Sequence, residues 1–206
     1  MTDLVSVNGK KMSARHTKTV TPVNDNTPKT AALPSKQKKR REENEEYLKN
    51  KNVKAFLDTI AAAEKGDYHA KFGFGWAPGF KTGKWTFTDE STHPGPGFNG
   101  TSAAGRYQIM INTWRDNCVT AMGLSDFTPK TQDLTAIEGL RKARAIDSIV
   151  NGDIKDAIHK ASFTWEALPL GPGQANRPLH GLPSKQPYMP YEDVVTTYKK
   201  FGGTTK

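Results

Sequence analysis

From Val53 the apolar residues fall into a period that suits only a helix. Val53, Phe56, Leu57, Ile60 and Ala61 recur at i, i+3, i+4, i+7 and i+8, which is one face of an amphipathic helix. Asn52 is a candidate cap, Glu64 and Lys65 close the helix, and Gly66 supplies a stop. The next segment cannot extend it. Residues 67–100 are rich in glycine, aromatics and threonine, and Trp85-Thr86-Phe87-Thr88 alternates as a strand does. The pattern predicts short antiparallel strands joined by glycine turns, inserted directly after the first core helix.

Downstream, helical spacing returns. Residues 101–125 place Ile111, Trp114, Cys118 and Met122 on one side, and 130–150 carry Leu134, Ile137, Leu140 and Ile149. A further helix is expected from Asp153, its cap, to Leu168, with Ile154, Ala157, Ile158, Ala161 and Trp165 inward. Pro169, Pro172, Pro178, Pro183, Pro187 and Pro190 then forbid regular structure and imply a stiff loop. A last helix runs from Tyr191 to Phe201, ended by Gly202-Gly203. The fold class is α+β: a helical body with a small antiparallel sheet lobe.

The chain before Val53 has a different character. Residues 1–35 are polar and nearly free of aromatics. Alone they cannot bury enough apolar area to offset the entropy of ordering, so an extended or disordered arm is expected. Residues 36–51 form a charged helix or linker, with Ser35 a candidate cap and Lys39–Glu43, Arg41–Glu45 and Glu45–Lys49 at i,i+4 spacing. Residues 1–50 hold 11 basic and 6 acidic side chains, +5 of the formal +9. The domain reading is a basic arm over 1–50 and one globular unit over 51–206. The positive charge attracts polyanions without choosing among nucleic acid, anionic lipid and the bacterial cell wall.

Several classes are set aside at this stage. Cys118 is the one cysteine, so no internal disulfide is possible, and its apolar surroundings favour a buried inert thiol over a nucleophile. His69, His93, His159 and His180 have no ligand spacing, so no metal and no cofactor is expected. No signal-type apolar core follows the N-terminal basic residues, and no run reaches membrane-spanning length, so no membrane insertion is expected.

The chemistry centres on Glu64. It ends an apolar helix and precedes the glycine- and aromatic-rich segment, a junction where a carboxylate can stand at a cleft edge half out of water. Partial desolvation raises a carboxyl pKa and lets it hold a proton at neutral pH, as a general acid must. From the residues alone, an ordinary surface glutamate near a helix end remains the competing reading.

Ordered matches along the chain favour the first. Ala55-Phe56-Leu57-Asp58 with Ala61 and Glu64, Phe87-Thr88-Asp89, His93-Pro94 and Ala104-Gly105-Arg106-Tyr107-Gln108 resemble the phage lambda endolysin family. So do Leu124, Asp126-Phe127, Pro129-Lys130, Gln132-Asp133, Gly152-Asp153-Ile154, Ala157-Ile158, Trp165 and Leu168-Pro169. The family's first helix ends in its catalytic glutamate, which falls on Glu64. The wider transglycosylase and goose-type lysozyme group shares a Ser-x-x-Gly-x-x-Gln pattern, matched here by Ser102, Gly105 and Gln108.

The resemblance implies a lysozyme-like fold and an enzyme that cuts peptidoglycan as a lytic transglycosylase. Glu64 would be its acid and base, and Ser102, Gln108 and Tyr107 its substrate contacts. Asp89 would be a candidate for charge stabilisation or positioning, beside the plainer role of a turn hydrogen bond. The family has a tyrosine in the glycine-rich turn after Leu-Pro. Here Leu170-Gly171-Pro172-Gly173-Gln174 keeps Gln174, a candidate contact, and lacks the tyrosine, which Tyr188 or Tyr191 would have to replace.

The expected partners are bacterial peptidoglycan and, through residues 1–50, phage tail or virion proteins, with nucleic acid second. The expected setting is a phage virion, or the host cytoplasm before lysis, with action on the cell wall. The alternatives are a free endolysin and a structural virion protein that keeps the fold.

Overall fold

The computed structural model describes residues 32–178 and 181–206. Seven α-helices are present among them: α1 (Ala32–Lys49), α2 (Lys51–Glu64), α3 (Ile111–Trp114), α4 (Pro129–Lys142), α5 (Ile146–Val150), α6 (Ile154–Ala161) and α7 (Tyr191–Lys200). None is long and apolar enough to cross a membrane. Of the extended or disordered arm expected over residues 1–35, residues 1–31 lie outside the described residues, as does His180, while 32–35 belong to α1 instead.

Helix α2 is the central strut. Asn50, not Asn52, caps it, accepting from the backbone N–H groups of Asn52 and Val53 at 2.9 and 3.2 Å. Val53, Phe56, Leu57, Ile60 and Ala61 are all buried, as the periodicity predicts. Each large apolar side chain buried this way stabilises the fold by about 1.5–3 kcal/mol. Phe56 meets Tyr198 of α7 edge to face at 6.1 Å. Asn52 is freed from capping, and its Oδ1 accepts from the Thr204 backbone and hydroxyl, both at 3.0 Å, tying the C-terminal tail to the start of α2.

The single helix expected over 130–150 is two: α4 starts at Pro129 behind its Thr128 cap and stops at Lys142, and α5 begins at Ile146 after Arg144 takes a positive φ of 59°. Asp153 caps α6, accepting from Asp156 N at 3.3 Å. Helix α6 stops at Ala161, a shorter helix than the expected run to Leu168. The helix expected over 101–125 begins only at Ile111 and widens into a π-turn over Arg115–Thr120. That wider turn keeps Trp114, Asn117 and Cys118 buried together. Burial pushes the Cys118 thiol up to about 12, which fits an inert core residue.

The expected antiparallel sheet lobe is not there. The described residues contain no strand, only isolated bridges such as Ala70 with Thr86, Lys71 with Ala104 and Ala104 with Ile109. The glycines that suggested hairpin turns are too frequent for a ladder to extend. Gly73, Gly75, Gly79 and Gly83 all take positive φ, and a 3₁₀ turn occupies Phe80–Thr82. Pairing is broken after single residues, so the lobe is a set of coiled turns. The fold is a mostly helical body with an irregular lobe where a sheet was expected.

The charged segment 36–49 is helical, within α1, and Ser35 lies inside that helix instead of capping it. Its ion pairs differ from those the spacing suggests. Lys38–Glu42 and Lys49–Glu46 form within the helix, while Glu43 reaches Arg141 at 2.7 Å and Glu45 reaches Lys130 at 2.7 Å, both on α4. Asn44 is fully buried and donates to Glu138 Oε2 at 3.0 Å. Helix α1 is therefore packed against α4.

Candidate active site

A cleft of about 1000 Å³ runs between the end of α2, the irregular lobe and the segment after α6. Glu64 lines it as the last residue of α2. Lys65 takes the left-handed C-cap conformation expected of Gly66, at φ 52°. Gly66 is needed for another reason: a Cβ there would stand 2.2 Å from the Arg106 carbonyl oxygen. This backbone contact seats the end of α2 against Gly105–Gln108. Gly105 is equally constrained, with φ +73° and room for a Cβ only 2.1 Å from Gln132 Oε1.

Burial raises the Glu64 carboxyl to about 7, opposed by a backbone hydrogen bond from Ala167 and reinforced by the negative charge of Glu166. Glu166 also lines the cleft and accepts a short hydrogen bond from the Ser184 hydroxyl. Nothing in the sequence marked it. It sits beside Trp165 in a stretch expected to be helix, and only the turn after α6 brings it to Glu64.

The other expected residues divide. Tyr107 and Gln108 line the cleft with Glu64. Tyr107 is buried and donates to Asp133 at 2.5 Å, so its hydroxyl is committed to the scaffold. Gln108 has φ 47°, and its amide donates to the Gly105 carbonyl at 3.0 Å. Ser102 caps the start of α3, accepting from Ile111 N at 3.2 Å, and is not in the cleft wall, although its neighbours Thr101 and Ala103 are.

Asp89 is exposed and makes a turn with Ser91 N at 2.9 Å; its bonds with Ser91 hold its carboxyl below the usual range. It does not line the cleft. Gln174 is exposed in its turn, outside the cleft wall, as are Tyr188 and Tyr191, while Gln186 and Pro187 reach it. His93 is buried; its Nε2 bonds the Ile109 carbonyl at 2.9 Å and its Nδ1 accepts from Gly95 N at 3.1 Å. Burial lowers its pKa to about 4, so it is a neutral structural residue.

Behind the cleft, one polar network fixes these segments together. Asp133 on α4 accepts from both Tyr107 and Tyr68, and Arg106 bonds Asp58 on α2 at 2.8 Å. Burial raises the Asp133 carboxyl, while the two tyrosine hydroxyls oppose that shift. The opposite rim is aromatic: Phe72 and Trp76 meet at 5.4 Å, and Trp76 is 59% exposed. Exposed rings beside a polar cleft are suited to stacking on the apolar faces of sugar rings. The sequence offered this signal as Phe72-Gly73-Phe74-Gly75-Trp76, where it was read as strand.

Comparison with known proteins agrees with this geometry. Residues 54–205 match the family described as Endolysin. The chain is 33% identical to the endolysin of Escherichia phage lambda over 164 residues, covering 76% of this chain and 95% of that one. It is 32% identical to the endolysin of Escherichia phage P2 over 168 residues, covering 75% and 94%. The solved phage lambda lysozyme, complexed with a chitohexasaccharide, superposes with a TM-score of 0.58 at 30% identity, covering 76% of this chain and 97% of that one.

Proposed function

The chain belongs to the endolysin family, and on that footing we propose that it degrades peptidoglycan as a lytic transglycosylase, with Glu64 as both acid and base. The observation that carries this reading is a carboxyl raised to about 7 at the wall of a cleft of about 1000 Å³. At neutral pH a large share of such a group keeps its proton. Glu64 gives that proton to the oxygen joining N-acetylmuramic acid to N-acetylglucosamine. The C1–O bond breaks, and N-acetylglucosamine leaves with its hydroxyl. The Glu64 carboxylate then takes the proton of the muramic 6-hydroxyl as that oxygen closes on C1. The product is a 1,6-anhydro ring, the proton is back on Glu64, and no water is consumed.

The aromatic rim and Gln108 would hold the strand, and the Asp58–Arg106–Tyr107–Asp133 network would hold the rim of the cleft to α2. A hydrolytic second reading is favoured by one observation: Glu166, a second carboxylate, lines the same cleft. Paired carboxylates serve hydrolases by activating water or the sugar. Mass spectrometry of digested sacculi separates the two, because anhydro and reducing muramic ends differ by one water. Anhydro ends support transglycosylation. Borohydride-reducible ends overturn it and make Glu166 the leading second carboxylate.

The unit that performs this chemistry is proposed to be residues 51–206. Residues 1–50 are proposed to attach it to a phage particle, through acidic tail or virion proteins ahead of nucleic acid, on the strength of their positive charge. Recovery of the intact chain in purified virions tests that part, and its consistent absence makes a free endolysin the better description.

A further inference from the structure

Lys71 is a cation held in the wall of the cleft with no counter-charge beside it. Its residue exposure is 9%, and it lines the same cleft as Glu64. Its backbone is pinned: Lys71 N donates to the Trp85 carbonyl at 2.8 Å, and the residue bridges to Ala104. The origin of the side chain is thereby fixed in the wall. Burial lowers its pKa, and neither a charged neighbour nor a hydrogen bond contributes to the shift. Neither Glu64 nor Glu166, the acids of the same cleft, forms an ion pair with it. The stem is covered while the Nζ is not among the buried polar atoms, so the charge is carried to the cleft and is open to what fills it.

Its surroundings add positive field. Lys71 and Arg115 both disfavour a charge on His93, which burial keeps neutral, and among the described residues no carboxylate shifts either Lys71 or His93. An anion arriving in the cleft would complete the site. Strands built of N-acetylglucosamine alone are neutral. Peptidoglycan differs at every second sugar by a lactyl ether, which ends in a free carboxylate or continues into a peptide that carries carboxylates.

We infer that Lys71 is a specificity-determining residue whose ammonium takes a carboxylate of the muramyl residue, distinguishing peptidoglycan from neutral chitin-type strands. This rests on the reading of the cleft as a glycan site. It adds a charge-based selection to what the aromatic rim would do for any sugar polymer.

The test measures affinity by calorimetry on the full chain carrying Glu64→Gln, so that strands are read as bound instead of cut. Three probes are compared: chitohexaose, peptidoglycan strands stripped of peptide, and strands that keep their peptides. Lys71→Met keeps the apolar stem and removes the charge, and Lys71→Arg keeps a charge as a control for folding. With Lys71 the carboxylated strands are preferred over chitohexaose. In Lys71→Met that ratio falls about 10- to 100-fold, the scale of a hydrogen bond to a charged group, and in Lys71→Arg most of it returns. A fall confined to the peptide-stripped strands identifies the lactyl carboxylate, which is an amide wherever the peptide continues; a fall confined to the peptide-bearing strands identifies a stem carboxylate, and a fall on both shows that the ammonium takes either. A ratio unchanged by Lys71→Met, or an equal loss on all three probes, overturns the inference and leaves Lys71 a packing residue hydrated by the cleft. If the chain binds none of the three, the glycan reading fails first and this inference falls with it.

Discussion

Glu166 stands within electrostatic reach of Glu64 on the wall of one cleft, and its charge raises the proton affinity of the Glu64 carboxyl. The Ser184 hydroxyl and the packing of Asn176 on the Glu166 backbone carbonyl, at 2.9 Å, keep it there. The Pro-rich segment that the sequence marks only as a stiff loop thus tunes the acid at the end of α2. Burial does most of the tuning and the neighbouring charge adds to it.

The first prediction follows from that order. Glu64 must be protonated to act as an acid, so clearing of sacculi should be full at low pH and fall as pH rises through about 7. Glu166→Gln removes the like charge, so the alkaline limb of the profile should move to lower pH while remaining above the ordinary carboxyl range. A limb that stays in place in this variant shows that burial alone sets the value. Loss of activity at every pH instead points to Glu166 as a second catalytic carboxylate.

Stability carries the same signature with a definite sign. The folded pKa of Glu64 lies above the ordinary glutamate value of 4.5, so the folded state binds this proton more tightly than the unfolded chain. Ionising Glu64 therefore costs folding stability, progressively between about 4.5 and about 7, with the full cost reached above that window. Glu64→Gln should abolish sacculus clearing by a factor of about 10²–10⁴ or more. It should also raise stability at pH 8, by a gain on the order of 3 kcal/mol, and change it little at pH 4. Thermal melts at the two pH values decide this. A variant that melts lower than the parent at pH 8 would show that Glu64 is not strained by its site.

A third prediction concerns the seat of that helix end. Gly66→Ala pushes a methyl toward the Arg106 carbonyl at 2.2 Å, a backbone contact that cannot yield by a rotamer change. Helix α2 must then shift away from Gly105–Gln108. The cost should be about 1–3 kcal/mol of stability, with a larger proportional loss of clearing because Glu64 moves with the helix. Equal activity per folded molecule in this variant would separate the position of Glu64 from the Gly66 contact.

The helical half of this arrangement was legible in the sequence because α2 and α4 repeat their apolar residues with helical spacing and carry caps. Glu64 was legible for a different reason: it closes an apolar helix just before a segment that cannot be helical. The lobe misled because Trp85-Thr86-Phe87-Thr88 alternates, yet a strand needs a partner of matching length, and the positive-φ glycines at 73, 75, 79 and 83 deny it one. Ser102 and Asp89 were placed by motif and by neighbourhood, and the structure uses both to hold local turns. Glu166 and Lys71 had no periodic or motif signal at all. Their meaning comes from which long-range turn brings them to the cleft, which a linear pattern does not contain.

The last prediction separates two parts of the N-terminal 50 residues. Helix α1 is attached to α4 by exposed pairs that contribute little, Lys130 with Glu45 among them, and by the side chain of Asn44, which donates to the buried Glu138 at 3.0 Å and accepts from Arg141 at 2.8 Å. Arg40, also on α1, brings its Nε to 3.9 Å from the same Glu138 carboxylate. A hydrogen bond to a buried charge is worth about 1.5–3 kcal/mol, so Asn44→Ala should lower stability by roughly that amount. Deleting residues 1–50 should cost at least as much, since it also uncovers Tyr47 and Leu48, which pack on the core. Deleting residues 1–31 should leave the melting temperature and sacculus clearing unchanged, because α1 and the described residues of the cleft all lie within 32–206. The shorter deletion is then the clean test of attachment: it should abolish incorporation into particles if the basic segment is an anchor. Full incorporation of the 32–206 chain assigns any anchoring to α1 or to the body, and a large drop in its melting temperature shows that residues 1–31 belong to the folded unit after all.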